Sequence, residues 1–545
     1  MGYPVSDRGS TDRIRCVSRD LPPPEGYRNQ AVMANLLQNG LGKGKDETQP
    51  ATGRGRLPAL LAGLAAAQAI ATVQVYLSNA ELHRTLETIK SLGYLPVPNE
   101  RVMPSLEGFF PAFWGGLFFT VSLGAGLSLL SCATAWAWRR FRRHRKALLA
   151  LYSILWPALL IAVNVGRFNP AASLYFLLLP PVVFLAARGS PPQDRHSAGH
   201  GRWLPASSAV LLAVLWLPHV GGDFFVDVRD RLLLSNRIGQ RLNRFYYDHT
   251  LHAAQVIKSL DQKTLKTCSL EKVKNAPVSR ALERAFAAQD FLNNRGAGGA
   301  ADLQVSKVGE RFVLSRSGTA VMEATLTDLL SRTGPVLKEF SARTDRQAFF
   351  RKAVYFSLLF GFPVIFYLFV FDLFRFGLGV FLAEKAAAPA AALVCFFTGA
   401  GLLVVFIVGG GGVRGELQVE RALASENWGD RVAALKRIEQ KGMDIAGFTG
   451  YERLLSSPHA AERYWLARAL GISRRERTYR DLLGLLDDPQ LNVRTMAYHA
   501  LGRRGDRRAI PEILYRLRIS PNGYEQGYAY RALKSLGWVQ SRTFS

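Results

Sequence analysis

The stretch DDPQLNVRTMAYHALG, Asp487–Gly502, aligns without gaps with SSPHAAERYWLARALG, Ser456–Gly471, and with ISPNGYEQGYAYRALK, Ile519–Lys534. Pro458, Pro489 and Pro521 are 31 and 32 residues apart, and each stands 12 residues before a leucine: Leu470, Leu501 and Leu533. Ala469, Ala500 and Ala532 precede those leucines. A self-similar period of this length marks a repeat architecture. Proline suits the opening position of a helix, where its missing N–H costs nothing. Ala and Leu at helical spacing give a narrow apolar face that lets the next unit approach closely. A second helix per unit is marked by Leu454–Leu455, Leu482–Leu483 and Ile513–Leu514. Neither helix buries its face alone, so the units are expected to stack into an α-solenoid. WGDRVAALKRIEQKG, Trp428–Gly442, reads as a diverged first copy.

The longer run Asp487–Leu514 carries Asp-Asp-Pro, Val493–Arg494, Ala497, Ala500, Leu501 and Gly502. It resembles the HEAT-like repeats of phycobilisome-lyase-type and related bacterial proteins. The resemblance covers roughly residues 425–540. It implies a solenoid and, commonly, protein binding; it implies no lyase activity, because a fold does not fix a reaction. The rest of the chain is similar to bacterial multi-pass membrane proteins that carry HEAT repeats.

Upstream of the repeats the chain alternates long apolar runs with charged segments, which is why mean hydropathy is +0.05 although 20% of residues are charged. A membrane helix needs roughly 20 apolar residues. Seven runs qualify, at about 57–77, 109–138, 147–165, 171–187, 203–221, 353–375 and 387–408; the fourth contains Pro180 and Pro181. Six of the eight residues in RRFRRHRK, Arg139–Lys146, are Arg or Lys, so this short loop is expected on the cytoplasmic side. Seven spans then place the C-terminus outside, whereas Arg351 and Lys352 look like inside anchors; charge leaves the side of the solenoid open.

The expected fold is mainly α: a polar, unstructured segment at 1–56; a transmembrane region of about five helices at 57–221; a soluble α+β domain at 222–352; two further spans at 353–408; a Gly-rich linker at 409–424; and the HEAT-like domain at 425–540. Residues 1–56 have no apolar signal-peptide core, and Met33 is an alternative start. Within the central domain, TLHAAQVIKSLDQKTLKT (250–267) reads as helix, ADLQVSKVGERFVLSRSG (301–318) as a β-hairpin around Gly309, Thr325–Phe340 as helix, and Gly296–Gly299 as a flexible link. Cys16, Cys132, Cys268 and Cys395 form no CxxC pair and suggest neither disulfides nor a thiolate metal site.

Chemistry-bearing motifs are sparse. There is no P-loop, GxSxG, HExxH or GxGxxG pattern, so no catalytic residue and no cofactor is expected. Asp248, His249 and His252 are a fragment of a metal site at most, since a site needs three or four converging ligands. Arg237, Arg241, Arg244, Tyr246 and Tyr247 follow a candidate span and are expected at a lipid-headgroup interface. Asp372 and Arg375 sit near the end of the sixth run, where pairing and snorkelling suffice. The formal charge of +27 suits anionic partners; lipid and a protein partner are expected, nucleic acid is not. The arginines at 503, 504, 507 and 508 are expected on a solvated or membrane-facing surface. The leading expectation is a membrane-anchored interaction scaffold of a bacterial inner membrane. A transporter or channel component, and a membrane enzyme acting on a lipid or envelope substrate, are the alternatives.

Overall fold

Small residues set the helix crossings from which the upstream part is built. The computed structural model describes residues 57–165, 168–188, 204–221, 224–294, 301–408 and 416–542. The polar N-terminal segment with Met33 and Cys16, the link Gly296–Gly299 and the glycine run 409–412 lie outside the described residues. Five apolar helices come first: α1 (Leu57–Ser91), α2 (Phe109–Arg140), α3 (Arg145–Val163), α4 (Pro170–Arg188) and α5 (Leu204–Trp216). A Cβ on Gly63 would meet Ser128 and Val183, and one on Gly116 would meet the α1 backbone at Ala71 and Thr72. With the Tyr175 hydroxyl donating to Gln74 at 3.1 Å, these pairings run α1 antiparallel to both α2 and α4. A π turn at Thr120–Gly124 interrupts α2, and its Ser122 carbonyl accepts from Ser357 Oγ at 2.5 Å.

Beyond α5 the chain turns sharply, by 104° between Leu204–His219 and Phe224–Leu233. The short α6 (Phe224–Val228) leads through a π turn into α7 (Arg237–Ile257), whose N-cap Asn236 accepts from Gly239 N–H. The helix predicted through Thr267 ends at Ile257; residues 266–272 are instead a strand, because Cys268 and Leu270 enter the core of a sheet. That sheet comprises β1 (Lys266–Lys272), then after α8 (Ala276–Ala287) β2 (Phe291–Asn293), β3 (Leu303–Val308), β4 (Arg311–Arg316) and β5 (Thr319–Ala324), in the order β2-β1-β3-β4-β5. β1 pairs parallel with β2 and β3; the remaining pairs are antiparallel. The β3–β4 hairpin turns at Gly309, as its sequence suggests, with φ +60°. Ser317 and Gly318, both with positive φ, make the β4–β5 turn. The predicted helix at Thr325–Phe340 is two, α9 (Leu326–Ser331) and α10 (Thr333–Arg343).

Two more apolar helices follow, α11 (Ala348–Gly379) and α12 (Glu384–Val408). α11 starts at Ala348, earlier than its apolar run, because Phe350 and Val354 are buried against Phe119 and Tyr175. It crosses α2 where Gly361 and Gly126 meet: a Cβ on Gly361 would lie 2.9 Å from the Gly126 Cα. Among the described residues, six helices are long and apolar enough to cross a membrane, and the bent segment containing α5 makes a seventh candidate.

The solenoid begins earlier than the sequence suggests. Residues 416–424, expected in a linker, are α13 (Glu416–Ala424), packed on α14 (Trp428–Lys441). Then come α15 (Ala460–Leu470), α16 (Glu476–Gly484), α17 (Leu491–Arg504), α18 (Ile510–Ile519) and α19 (Gly523–Ser535). The helix marked by Leu454–Leu455 is only a 3-10 turn, Tyr451–Ser456. The three prolines do not open their helices. Each stands one residue before the N-cap, which is His459, Gln490 or Asn522, so proline stops the preceding turn rather than starting the helix.

Ala469, Leu470, Ala500, Leu501, Ala532 and Leu533 are all buried. The packing shows why the first two copies end in glycine, each against the alanine of the copy that follows. A Cβ on Gly471 would lie 2.9 Å from the Ala500 Cβ, and one on Gly502 would lie 3.1 Å from the Ala532 Cα. Ala500→Arg is therefore expected to cost several kcal/mol, through overpacking and an unpaired buried charge. Gly484 ends α16 with open space around it, so Gly484→Ala is expected to leave stability unchanged or raise it by up to about 1 kcal/mol. Thermal unfolding of the full chain measures both; an unchanged midpoint for Ala500→Arg means that the repeat register is wrong.

Candidate functional site

The arginines of the solenoid are mostly consumed between its own repeats. The first-turn arginines Arg431, Arg463 and Arg494 each donate to a carbonyl six residues back, at Ser425, Ser457 and Asp488. Each also reaches an acid of the next unit. Arg431 takes Glu462 at 2.6 Å and Arg494 takes Glu525 at 3.0 Å. In the unit after Arg463 the position aligned with Glu462 and Glu525 is Val493, which offers no acid, and Arg463 takes Asp488 in a bidentate pair at 2.5 and 3.0 Å. Paired and hydrogen-bonded in this way, the three guanidiniums, buried at Arg463 and half-buried at Arg431 and Arg494, fix the spacing of the repeats. Arg504, expected on a solvated or membrane-facing surface, is buried: its guanidinium donates to the Ser473 and Arg475 carbonyls and to Thr478 Oγ1, closing the turn between α15 and α16. Arg503 and Arg508 are exposed but bridge to Glu439 and Glu476, and Arg507 is exposed.

One side of the solenoid is sewn to the rest of the chain. Along α6 and α7, Asp227 pairs with Lys436 at 2.7 Å, and the buried Asp230 accepts from Trp465 Nε1 at 2.8 Å. Arg229 lies over the Tyr464 ring at 3.8 Å. Gln240 accepts from Gln490 at 3.0 Å, Asn243 donates to Asn492 at 2.5 Å, and Asp248 accepts from Asn522 at 3.0 Å. From the loop after α1, the Asn99 amide donates to the carbonyls of Leu517, Arg518 and Ser520, satisfying the open C-terminal end of α18. From the sheet domain, Asp290 accepts from Tyr530 at 2.6 Å and pairs with Lys534 at 2.9 Å. Burial, with Asp290 beside it, pushes the Tyr530 hydroxyl well above its ordinary range. Little in the sequence announces these contacts: Asn99 is one asparagine in a proline-rich loop, and Asp230 and Trp465 are 235 residues apart.

The residues expected at a lipid interface divide between two faces of α7. Arg237, Arg241, Arg244 and Tyr246 are exposed on its outward side. Tyr247 is not with them. One helical residue on, it turns to the solenoid and packs on Tyr524 with ring centroids 4.5 Å apart. Asp248, His249 and His252 do not converge. Asp248 is held by Asn522, His249 Nδ1 is 2.9 Å from the Phe245 carbonyl, and His252 is buried with Nδ1 3.0 Å from Asn79 Nδ2 of α1. Among the described residues no three His, Cys, Asp or Glu side chains are grouped to hold a metal ion. Asp372 and Arg375 lie on α11 near its C-terminal end, where the sequence suggests pairing near a membrane edge.

Residues 451–534 match the family model for HEAT repeats. The match covers the region from the Tyr451 turn to α19, and it supports a protein-interaction role. No curated protein and no solved structure matches the chain.

Burial, and secondarily the neighbouring His249, push the His252 imidazole down to about 4. An unfolded histidine titrates near 6.5, so between those values the unfolded chain binds the extra proton. The contribution of His252 is intact above pH 6.5 and is lost progressively as pH falls toward 4, by on the order of 3 kcal/mol. Melting curves across that window are expected to show a smaller drop for His252→Gln than for the natural chain. Equal drops would mean that His252 is not buried as a neutral ring.

Proposed function

We propose that this protein is a membrane-anchored scaffold that presents a HEAT-repeat solenoid to a protein partner. The observation that carries the reading is the docking of the solenoid. It meets the sheet domain, α6, α7 and the loop after α1, all at one end of the bundle of apolar helices. Arg139–Lys146 lies at the other end, where Arg139 donates to the Ala187 carbonyl at the close of α4. With α1 to α5, α11 and α12 as seven spans, both soluble parts fall on one side and the basic loop on the other. The positive-inside rule puts that loop in the cytoplasm. In a bacterial inner membrane the solenoid would then face the periplasm. Arg351, which read as an inside anchor, is engaged elsewhere: it pairs with Asp345 at 2.5 Å and donates to the Ile257 carbonyl at 2.7 Å.

The partner surface in this reading is the exposed flank of α18, the helix whose C-terminal carbonyls Asn99 caps. There α18 exposes Tyr515, Arg518 and Ile519 at i, i+3 and i+4, and among the described residues no carboxylate pairs with Arg518. Aromatic and arginine side chains of this kind are enriched where proteins bind each other. The test is membrane-impermeant thiol labelling of single added cysteines in intact cells, read against the parent chain. Lys307→Cys and Arg518→Cys are expected to label alike, and Arg143→Cys to resist. Agreement of Arg143 with Arg518, or disagreement of Lys307 with Arg518, overturns the arrangement.

A further inference from the structure

We propose that the outward face of α7 lies in the headgroup layer of an anionic membrane and holds the docked solenoid against the bilayer surface. The inference rests on the membrane-anchored reading and deepens it by assigning a lipid-contact site and its chemistry. It begins with two stripes on one helix. Ile238, Leu242 and Phe245 stand at i, i+4 and i+7, with Tyr246 beside them, and their exposures are 73%, 59%, 40% and 55%. Arg237, Arg241 and Arg244 repeat the same spacing along one flank, all exposed; among the described residues none of the three is in an ion pair. The remaining face carries Gln240, Asn243 and Tyr247 and is occupied by the solenoid. An amphipathic helix thus points its polar side into the protein and its apolar side out, the reverse of what water alone favours.

Two observations select a bilayer as the cover. The apolar stripe is continuous with the start of α2: Phe245 stands edge-on to Trp114 with centroids 5.4 Å apart, and Trp114, Phe109 and Phe110 are themselves exposed. α2 is a candidate span, so its exposed first turns mark the level at which that span would emerge. The chain also reaches α7 through the 104° turn after α5, which takes it off the line of that helix. A helix with apolar side chains below and guanidiniums alongside matches the interface of a membrane bearing phosphate headgroups. Arginine suits this position because its planar fork meets phosphate oxygens in pairs.

The test uses the full chain in nanodiscs of phosphatidylcholine and phosphatidylglycerol, with the photoreactive residue p-benzoylphenylalanine replacing either Leu242 or Phe366. Phe366, exposed on α11, reports whether the bundle is in lipid. Irradiation is expected to give lipid adducts at both positions. At 242 the ratio of phosphatidylglycerol to phosphatidylcholine adducts should exceed the ratio of the two lipids in the bilayer about fivefold, the preference of one basic residue near a charged surface, and Arg237→Gln with Arg241→Gln and Arg244→Gln should abolish that enrichment. Adducts at 366 but none at 242 overturn this inference and leave the membrane reading standing. No lipid adduct at 366 overturns the membrane reading itself. Crosslinks from 242 to a second protein chain, or unselective adducts indifferent to the arginines, overturn the headgroup assignment.

Discussion

A solenoid of so few repeats cannot close its own core, and that constraint organises this end of the molecule. The cluster that holds α14, α15, α17 and α19 together also contains Ile89, Tyr94 and Val97 from the end of α1 and its loop, Leu234 from the turn before α7, and Leu265 and Leu292 from the sheet domain. Apolar surface left open by stacking is covered by segments from elsewhere in the chain. Around this shared core the contacts are polar and specific: Asn99 on the end of α18, Asp230 on Trp465, Asp290 on Tyr530 and Lys534. Hydrophobic burial supplies the adhesion, and the buried polar groups select the geometry, because each left unpaired would cost free energy.

The repeats were legible because their physics is local. A recurring proline, alanine and leucine at fixed spacing reports a small-residue contact that any stacked helix pair needs, and Ala469, Ala500 and Ala532 are buried as that spacing requires. The apolar helices were legible for the same reason. What escaped the sequence reading is set by partners far along the chain. The strand at 266–272 continues a helical-looking segment, yet its identity depends on β2 and β3. Tyr246 and Tyr247 are adjacent and alike in chemistry, and only the solenoid on one side of α7 separates an exposed ring from a packed one. Arg504 looks like its neighbours Arg503 and Arg508 in the sequence, but the turn it closes buries it. Charge counting left the side of the solenoid open because Arg351 and Lys352 together look like inside anchors; the contacts of Arg351 with Asp345 and the Ile257 carbonyl at the end of α7 are not visible in the sequence.

The proposals share a single mechanical idea. α7 is a strut with two faces: the polar one registers the solenoid, and the apolar and basic one is left for a surface outside the protein. Its buried end is wedged among α1, α2 and α11 through Ala253, Val256 and Ile257. A force on the solenoid would therefore reach the apolar helices through packed side chains rather than through the glycine-rich connection alone.

The docking itself is open to a direct measurement. A carbodiimide forms an amide only between an amine and a carboxylate already in contact, and among the described residues the seam offers two lysines so placed, Lys534 with Asp290 at 2.9 Å, and Lys436 with Asp227 at 2.7 Å and Asp230 at 3.6 Å. Lys263 with Asp302, at 3.3 Å inside the sheet domain, is the internal standard. Peptide mapping of the full chain after zero-length crosslinking is predicted to recover both seam crosslinks, within single chains, alongside the standard. Recovery of the Lys263–Asp302 crosslink without either seam crosslink would contradict the account, because the solenoid would then not rest on the domains that this structure places beneath it.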